Sequence, residues 1–229
     1  MIPEVVIHNS ISLDGSLIGF EPDMVTHYGL VGELSCDIHL IGSNTAVTGL
    51  ELFGGVPPEG EYDLEPPKVK EELPYWAVID SGGKLMEKLH GLRASGYCRD
   101  VIALVAEDTP GDYIYYLESR NYPFHRVGTG KVDLDKALEL LNEVYGARRV
   151  LVDAGRILSN LLLEKGLATW LSILVHPVIV GKEGYDIFGN LRGAINLISR
   201  GSKSVGDGLV WCQYEPVYDR SAIDLDVLS

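Results

Sequence analysis

"RRVLVDAGRILSNLLLEKGLATWLSILVHPVIVG", Arg148 to Gly181, is the stretch that decides the fold. It opens with a β-branched apolar run, "RRVLVDAG", which stops at small residues. It continues as "RILSNLLLEKGL", where Ile157, Leu158, Leu161 and Leu162 recur at helical spacing, so that face is expected to point inward, with Gly166 as C-cap candidate. A second apolar run, "WLSILVHPVIVG", follows. Strand, helix and strand in succession read as a unit of a mostly parallel α/β sheet.

The same alternation extends outward. "EVVIHNSISL", "CDIHLIG", "YWAVID", "DVIALVAE" and "PFHRVG" are strand-like runs bounded by Gly, Pro, Asn or Asp. "VDLDKALELLNEVYG" sets Leu134, Leu138 and Leu141 on one helical face, with Asp133 at its start and Gly146 just past its end. The last part, "GAINLISRGSKSVGDGLVWCQYEPV", has no room for a helix and reads as two strands around Gly206–Gly208, an antiparallel hairpin edging the sheet. Gly54 to Pro74 is rich in Pro, Gly and acid, and is either a solvated connection or a lid. With no repeat and no boundary signal, residues 1–229 are expected to be a single domain, 215–229 being a short tail.

Composition narrows the partners. Hydrophobic residues make up 46% and charged residues 23%, as in ordinary globular enzymes, and the formal net charge is −14. Such a chain repels nucleic acid and anionic membranes, and a phosphorylated ligand has to be held by local donors. Cys36, Cys98 and Cys212 form no C-x-x-C, and the histidines at 8, 27, 39, 90, 125 and 176 show no ligand spacing, so neither a disulfide framework nor a metal is expected. "MIPEVVIHNS" has no secretory pattern, and the longest apolar stretch is broken by His176 and Pro177, so the cytoplasm is the expected compartment.

Ligands of open α/β sheets collect beyond the carboxyl ends of the strands. Four such ends carry small polar clusters: Gly42-Ser43-Asn44-Thr45, Asp80-Ser81-Gly82-Gly83, Gly128-Thr129-Gly130 and Asp153-Ala154-Gly155-Arg156. Each alone is ordinary turn chemistry; together they point to an extended phosphate-bearing ligand. "GTGK" is not a Walker loop, because Val132 stands where Ser or Thr belongs, and no G-x-G-x-x-G follows the first strand. His39 and His176 are read as core or edge histidines. His8, Ser10 and Ser12 share one face of the first strand, opposite Ile7 and Ile11; that face lines a polar pocket or is solvated. Asp14, in "SLDG", is either turn punctuation or a carboxylate placed at a strand end.

"SISLDGSLIG", "IGSNTAV", "VIDS", "GTGKVDLDKALELL" and "RVLVDAGRILSNLLLEKGLATWLSILVHPVIVGKEGYDIFG" occur in this order. The series resembles the reductase domain of riboflavin biosynthesis, a family with the dihydrofolate-reductase-like fold, in its stand-alone archaeal and fungal form without the deaminase domain. The resemblance implies reduction of the ribosyl group of a ribosylaminopyrimidine 5′-phosphate to ribityl with NADPH, NADH being possible, in a homodimer. It puts Gly42, Thr45 and Ser81 on the nucleotide and Gly128, Gly130 and Val132 on its adenosine side. Gly155, Arg156, Ile157 and Leu158 would hold the pyrophosphate. Asp14 and Asp153 are the implied catalytic carboxylates, facing nicotinamide and sugar, and His8, Ser10 and Ser12 the substrate side. Two features depart from the family: Asp153-Ala154-Gly155 replaces Glu-Gly-Gly, and "TGLELFGGVPP" replaces a D-D-P-x-L-T-V segment. Two other functions stay open, a reductase of a pterin or other C=N heterocycle and a nucleotide- or pterin-binding protein without turnover.

Overall fold

In the computed structural model, which describes residues 1–52, 54–64 and 71–218, the chain forms two compact units. Among the described residues, one comprises 1–3 and 36–150; the other comprises 4–35 and 151–218. The expected tail from 219, and 65–70 of the acidic Pro-rich segment, lie outside the described residues.

The chain enters unit two first, with β1 (Glu4–Ser12) and α1 (Met24–Leu34). Asp23 caps α1 by accepting from Thr26 N at 2.9 Å, and His27, Leu30, Val31 and Leu34 form its buried face.

Unit one then runs β2 (Ile38–Gly42), α2 (Ser43–Leu52), β3 (Tyr75–Ile79), α3 (Leu89–Arg93), β4 (Val101–Val105), α4 (Gly111–Ser119), β5 (Phe124–Arg126) and α5 (Leu134–Tyr145). β2, β3, β4 and β5 are parallel neighbours, with Ile38 opposite Tyr75, Trp76 opposite Val101 and Ala103 opposite Phe124. All five residues of β4 are buried, which is why "DVIALVAE" reads as an unbroken apolar run: both faces of a parallel strand are covered. α5 follows its expected pattern. The Asp133 side chain accepts from Asp135 N and Lys136 N, Leu134, Leu138 and Leu141 are buried, and Gly146 ends the helix at φ 68°. Each of those leucines contributes about 1.5–3 kcal/mol by burial.

β6 (Arg149–Val152) gives its first two residues to unit one, where it extends the order to β5-β4-β3-β2-β6, and its last two to unit two. Unit two continues with α6 (Arg156–Glu164), β7 (Trp170–His176), β8 (Asn196–Ser204) and β9 (Val210–Val217), in the strand order β6-β1-β7-β9-β8. β1 and β7 are parallel from Val6 opposite Trp170 to Ser12 opposite His176. β9 is antiparallel to β7, and the β8–β9 hairpin turns through Gly206, Asp207 and Gly208, all at positive φ. The mostly parallel α/β architecture with a closing antiparallel hairpin is therefore the observed one.

The phase of α6 differs from expectation. Its buried residues are Ser159, Asn160, Leu162 and Leu163, while Ile157 is 63% and Leu161 41% exposed. Two polar residues occupy the inward face, and a count of apolar positions rotates the helix away from them. Gly166 does lie just past the C-cap, at φ 67°. No helix among the described residues is long and apolar enough to cross a membrane.

Candidate active site

β1 is buried on both faces, and its polar residues define the site in unit two. His8 is 0% and His27 3% exposed, and their rings lie 4.4 Å apart. The row His8–Ser10–Ser12 is thus not a solvated face: Ser10 is half-buried and the other two are closed off. His8 Nδ1 lies 2.8 Å from Ser172 Oγ and 3.1 Å from the Ser172 carbonyl oxygen. A carbonyl only accepts, so Nδ1 carries the proton. Trp211 Nε1 donates to the same Ser172 hydroxyl at 2.8 Å. His8 Nε2 is left buried without a partner, and a second proton there would be a buried charge. Burial first, and the neighbouring His27 second, push the His8 pKa down to about 4.

His27 is held differently. Its Nε2 lies 3.3 Å from Asp153 Oδ2 and its Nδ1 3.0 Å from Ser10 Oγ. The carboxylate accepts, so Nε2 donates and Nδ1 takes the Ser10 hydroxyl hydrogen. The Asp153 side chain is 28% exposed against 4% for His27, which makes Asp153 the accessible end of the pair. Asn9, on the other face of β1, donates to the Ala154 carbonyl at 3.0 Å, and Ser159 Oγ donates to it at 3.1 Å. That doubly bonded carbonyl fixes the Asp153–Gly155 turn, hence both the carboxylate and the start of α6.

The four strand-end clusters divide by where their N–H groups go. Asp80, 1% exposed, accepts from Lys84 N and Leu85 N, and Ser81 gives its carbonyl to Thr109 Oγ1 at 3.0 Å. In the Gly128–Gly130 loop, Asp108 accepts from Gly130 N at 2.6 Å and Asp133 caps α5. Gly128 is at φ +90°, where an added Cβ would stand 2.6 Å from the Lys131 carbonyl oxygen, and Val132 is buried at 9% exposure. Carboxylates of the chain itself thus accept some of the N–H groups at these two loops. The others open helices with no acid in their first turn: α2 at Ser43, directly after Gly42, and α6 at Arg156. Thr45 stands in the first turn of α2; Arg156, Ile157 and Leu158 stand in that of α6. First-turn N–H groups have no intrahelical acceptor and Gly155, the α6 N-cap, has no side chain to offer, so this helix start can seat an anion. The Arg156 guanidinium packs 3.5 Å over the Tyr185 ring, in space left by Gly189, whose Cβ would meet Arg156 Nη1 at 2.7 Å.

Asp14 is occupied as well. Its Oδ1 accepts from Ser12 Oγ at 2.6 Å and Val180 N at 3.1 Å, and its Oδ2 from Gly181 N at 2.7 Å. The Ser12 hydroxyl first, then Gly181 and Val180, hold this carboxyl down at about 2. Asp14 therefore stitches the loop after β1 to the loop after β7, and Ser12, which also accepts from Ser16 N, serves the same seam.

In unit one, Leu50, Val56 and Pro58 line a cavity of about 570 Å³. Glu59 beside it accepts from Tyr116 OH at 2.6 Å and Arg120 Nε at 3.0 Å, so the described part of the acidic Pro-rich segment is pinned at that point.

Sequence reasoning missed His27, Ser172 and Trp211. A signal for the first was present: 27, 30, 31 and 34 are one helical face, and a histidine among three apolar residues is a buried polar group in need of partners.

Sequence comparison with curated proteins gives no match. Among solved structures, the chain is similar to a pyrimidine reductase-like protein from Corynebacterium diphtheriae, at 18% identity over 95% of this chain and 93% of that one, with TM-score 0.70. It is similar to the riboflavin biosynthesis reductase Rib7 of Saccharomyces cerevisiae, at 18% identity, 94% and 90% coverage and TM-score 0.65. A dihydrofolate reductase from Enterococcus faecalis matches at 8% identity, 95% and 100% coverage and TM-score 0.50. These likenesses show a dihydrofolate-reductase-like fold. The family model of the RibD C-terminal domain matches residues 36–211, well over half of the chain. On that match the chain belongs to the RibD C-terminal domain family, the pyrimidine reductases of riboflavin biosynthesis.

Proposed function

We propose that residues 1–229 form one reductase domain that uses NADPH to reduce the ribosyl group of a ribosylaminopyrimidine 5′-phosphate to ribityl, in the cytoplasm. One observation carries this reading: a single turn, Asp153–Gly155, sets a partly exposed carboxylate backed by a buried histidine directly before a helix start with no acid in its first turn. The first can handle a proton and the second can seat a phosphate, the two tasks that hydride reduction leaves to a protein.

The residues fit the cofactor. In unit two, the N–H groups of Arg156, Ile157 and Leu158 would receive its pyrophosphate, with Arg156 adding positive charge. In unit one, Gly42, Thr45, Ser81, Gly128, Gly130 and Val132 keep the nucleotide assignment that the resemblance implies. When bound, NADPH supplies the hydride that reaches C1′ of the opened sugar. Asp153, partly exposed, would take up a proton from solvent and pass it to the imine nitrogen. Asp14 holds the loop that borders β1, and His8, Ser10 and Ser12 act from behind the substrate. A homodimer belongs to the same proposal: all nine residues of β8 are exposed, and β8 ends the strand order of its unit.

The test is the loss of NADPH absorbance with the purified ribosylaminopyrimidine phosphate, with NADH and with a pterin in parallel. Pyrimidine-dependent oxidation is expected. Oxidation only with the pterin, or cofactor binding with no turnover, would replace this function by one of the two alternatives.

A further inference from the structure

We propose that Tyr185 and Gly189 are positioning residues of the anion site at the start of α6: together they hold the Arg156 guanidinium in one place and leave its charge for a pyrophosphate. The proposal rests on the reading above that the cofactor's pyrophosphate lies at that helix start.

Arg93, Arg120, Arg192 and Arg200 each meet a carboxylate, as expected in a chain where 33 Asp and Glu face 19 Lys and Arg. Arg156 has no carboxylate at ion-pair distance among the described residues. Its guanidinium is always charged and half-buried, and its Nε is buried without a hydrogen-bond partner. Partial burial of an unpaired cation is unfavourable, and an anionic ligand offsets it. What fixes the side chain instead is an aromatic face: Arg156 Cζ lies 3.5 Å over the centre of the Tyr185 ring. Gly189 leaves the space the guanidinium needs, since a Cβ there would stand 2.7 Å from Arg156 Nη1 and 3.5 Å from its Cδ.

The ring is itself anchored, through its backbone. Tyr185 N donates to Ser16 Oγ at 2.8 Å, and the Tyr185 carbonyl accepts from Leu17 N at 3.0 Å. Ile187 N donates to the Gly15 carbonyl at 3.0 Å, and Ser16 and Asp186 form an antiparallel bridge. The loop after β1 therefore carries Tyr185, and Tyr185 carries the guanidinium at the first residue of α6. A side chain set in place beforehand gives up less freedom when a ligand arrives, so a residue that only holds it still raises affinity. A ring that merely stabilised the fold would stack as well on an arginine already paired with a carboxylate. Because main-chain groups make the seam, the Tyr185 side chain can be changed without opening it.

The experiment measures the NADPH dissociation constant of the full chain by fluorescence titration. Wild type is compared with Tyr185→Phe, Tyr185→Leu, Gly189→Ala, Arg156→Ala, Arg156→Lys and the double variant Tyr185→Leu/Arg156→Ala. Tyr185→Phe keeps the ring and should bind within about twofold of wild type. Tyr185→Leu and Gly189→Ala should each weaken binding about fivefold, the first by releasing the guanidinium and the second by displacing it. Arg156→Lys keeps the charge but loses the flat stack, and should approach the roughly tenfold loss of Arg156→Ala. In the Arg156→Ala background Tyr185→Leu should have no further effect, a coupling that a merely structural role would not produce. During turnover the KM for NADPH should rise by similar factors while kcat changes less than about twofold. Should Tyr185→Leu not fold, Gly189→Ala, whose added methyl meets mainly the end of a flexible side chain, carries the test. Wild-type affinity in either Tyr185→Leu or Gly189→Ala, or an equal loss from Tyr185→Leu with and without Arg156, overturns the proposal alone. The expected binding pattern with no pyrimidine-dependent oxidation supports the proposal and overturns the reductase reading. A wild type that binds no NADPH overturns both.

Discussion

Replacing His8 by Asn tests the physical account of the buried network. Asn can still donate from a position near that of His8 Nδ1 to Ser172, but it cannot titrate. His8 is 0% exposed, and burial holds its pKa near 4 against 6.5 for the free side chain. Between those values the unfolded chain binds a proton that the folded chain refuses, so folding weakens as pH falls. The slope is about 1.4 kcal/mol per pH unit for one proton. Over the interval from 6.5 to about 4 the wild type should lose about 3 kcal/mol that His8→Asn does not lose. The contribution is fully present above pH 6.5 and gone once the folded state also protonates, near pH 4. Urea unfolding of both proteins across this range, followed by circular dichroism, reads the difference directly. Other carboxylates titrate alike in the two and cancel. At neutral pH the variant should be the weaker one, by about 1–2 kcal/mol for lost packing, and the order should reverse on acidification. A gap between the two proteins that stays constant with pH would refute the claim that His8 is buried and neutral.

Gly128→Ala should cost roughly 2–3 kcal/mol, since it combines a left-handed backbone with a clash against backbone atoms, whereas Gly130→Ala, with nothing within 4 Å, should cost about 1 kcal/mol. Equal urea midpoints for the two would contradict the crowding at Gly128. Asp14→Asn should lower hydrogen-exchange protection at Val180 and Gly181, because one carboxamide cannot accept all three hydrogen bonds. In the wild type that protection should persist below the ordinary carboxylate range and disappear only as pH falls through about 2. Arg156→Ala should weaken NADPH binding about tenfold in a fluorescence titration and cost about 0.5–1 kcal/mol of stability from the lost stacking on Tyr185. An unchanged dissociation constant would remove Arg156 from the cofactor site.

Much of the fold was legible because its signals are local. β4 is apolar at every position, α5 carries its own cap and stop, and the β8–β9 turn needs the glycines it has. α6 was misread in phase because Ser159 and Asn160 face inward, and their reason for doing so, a bond to the Ala154 carbonyl in the case of Ser159, lies outside the helix. The candidate site was half legible. Asp153 and the α6 start stand at a strand end, where ligand chemistry is looked for, and the resemblance pointed there too. His27 was not, because its partner Asp153 lies 126 residues away and no sequence spacing encodes that meeting. Asp14 was legible as a conspicuous motif, but the donors that meet its carboxylate, Val180 and Gly181, lie far along the chain.

Because unit two is interrupted by unit one, the ribosome delivers its first strand long before the partner that strand needs. Val5 meets Thr169, 164 residues later, and at about 5–20 residues per second that is a wait of roughly 10–30 s. Residues 36–150 are contiguous, so unit one has its strands in hand while β1 remains unpaired. An unpaired strand made only of Val and Ile would be a strong seed for association with other nascent chains. β1 instead carries His8, Asn9 and Ser10 at its centre. The same polar side chains that later build the site keep the waiting strand from sticking to its neighbours.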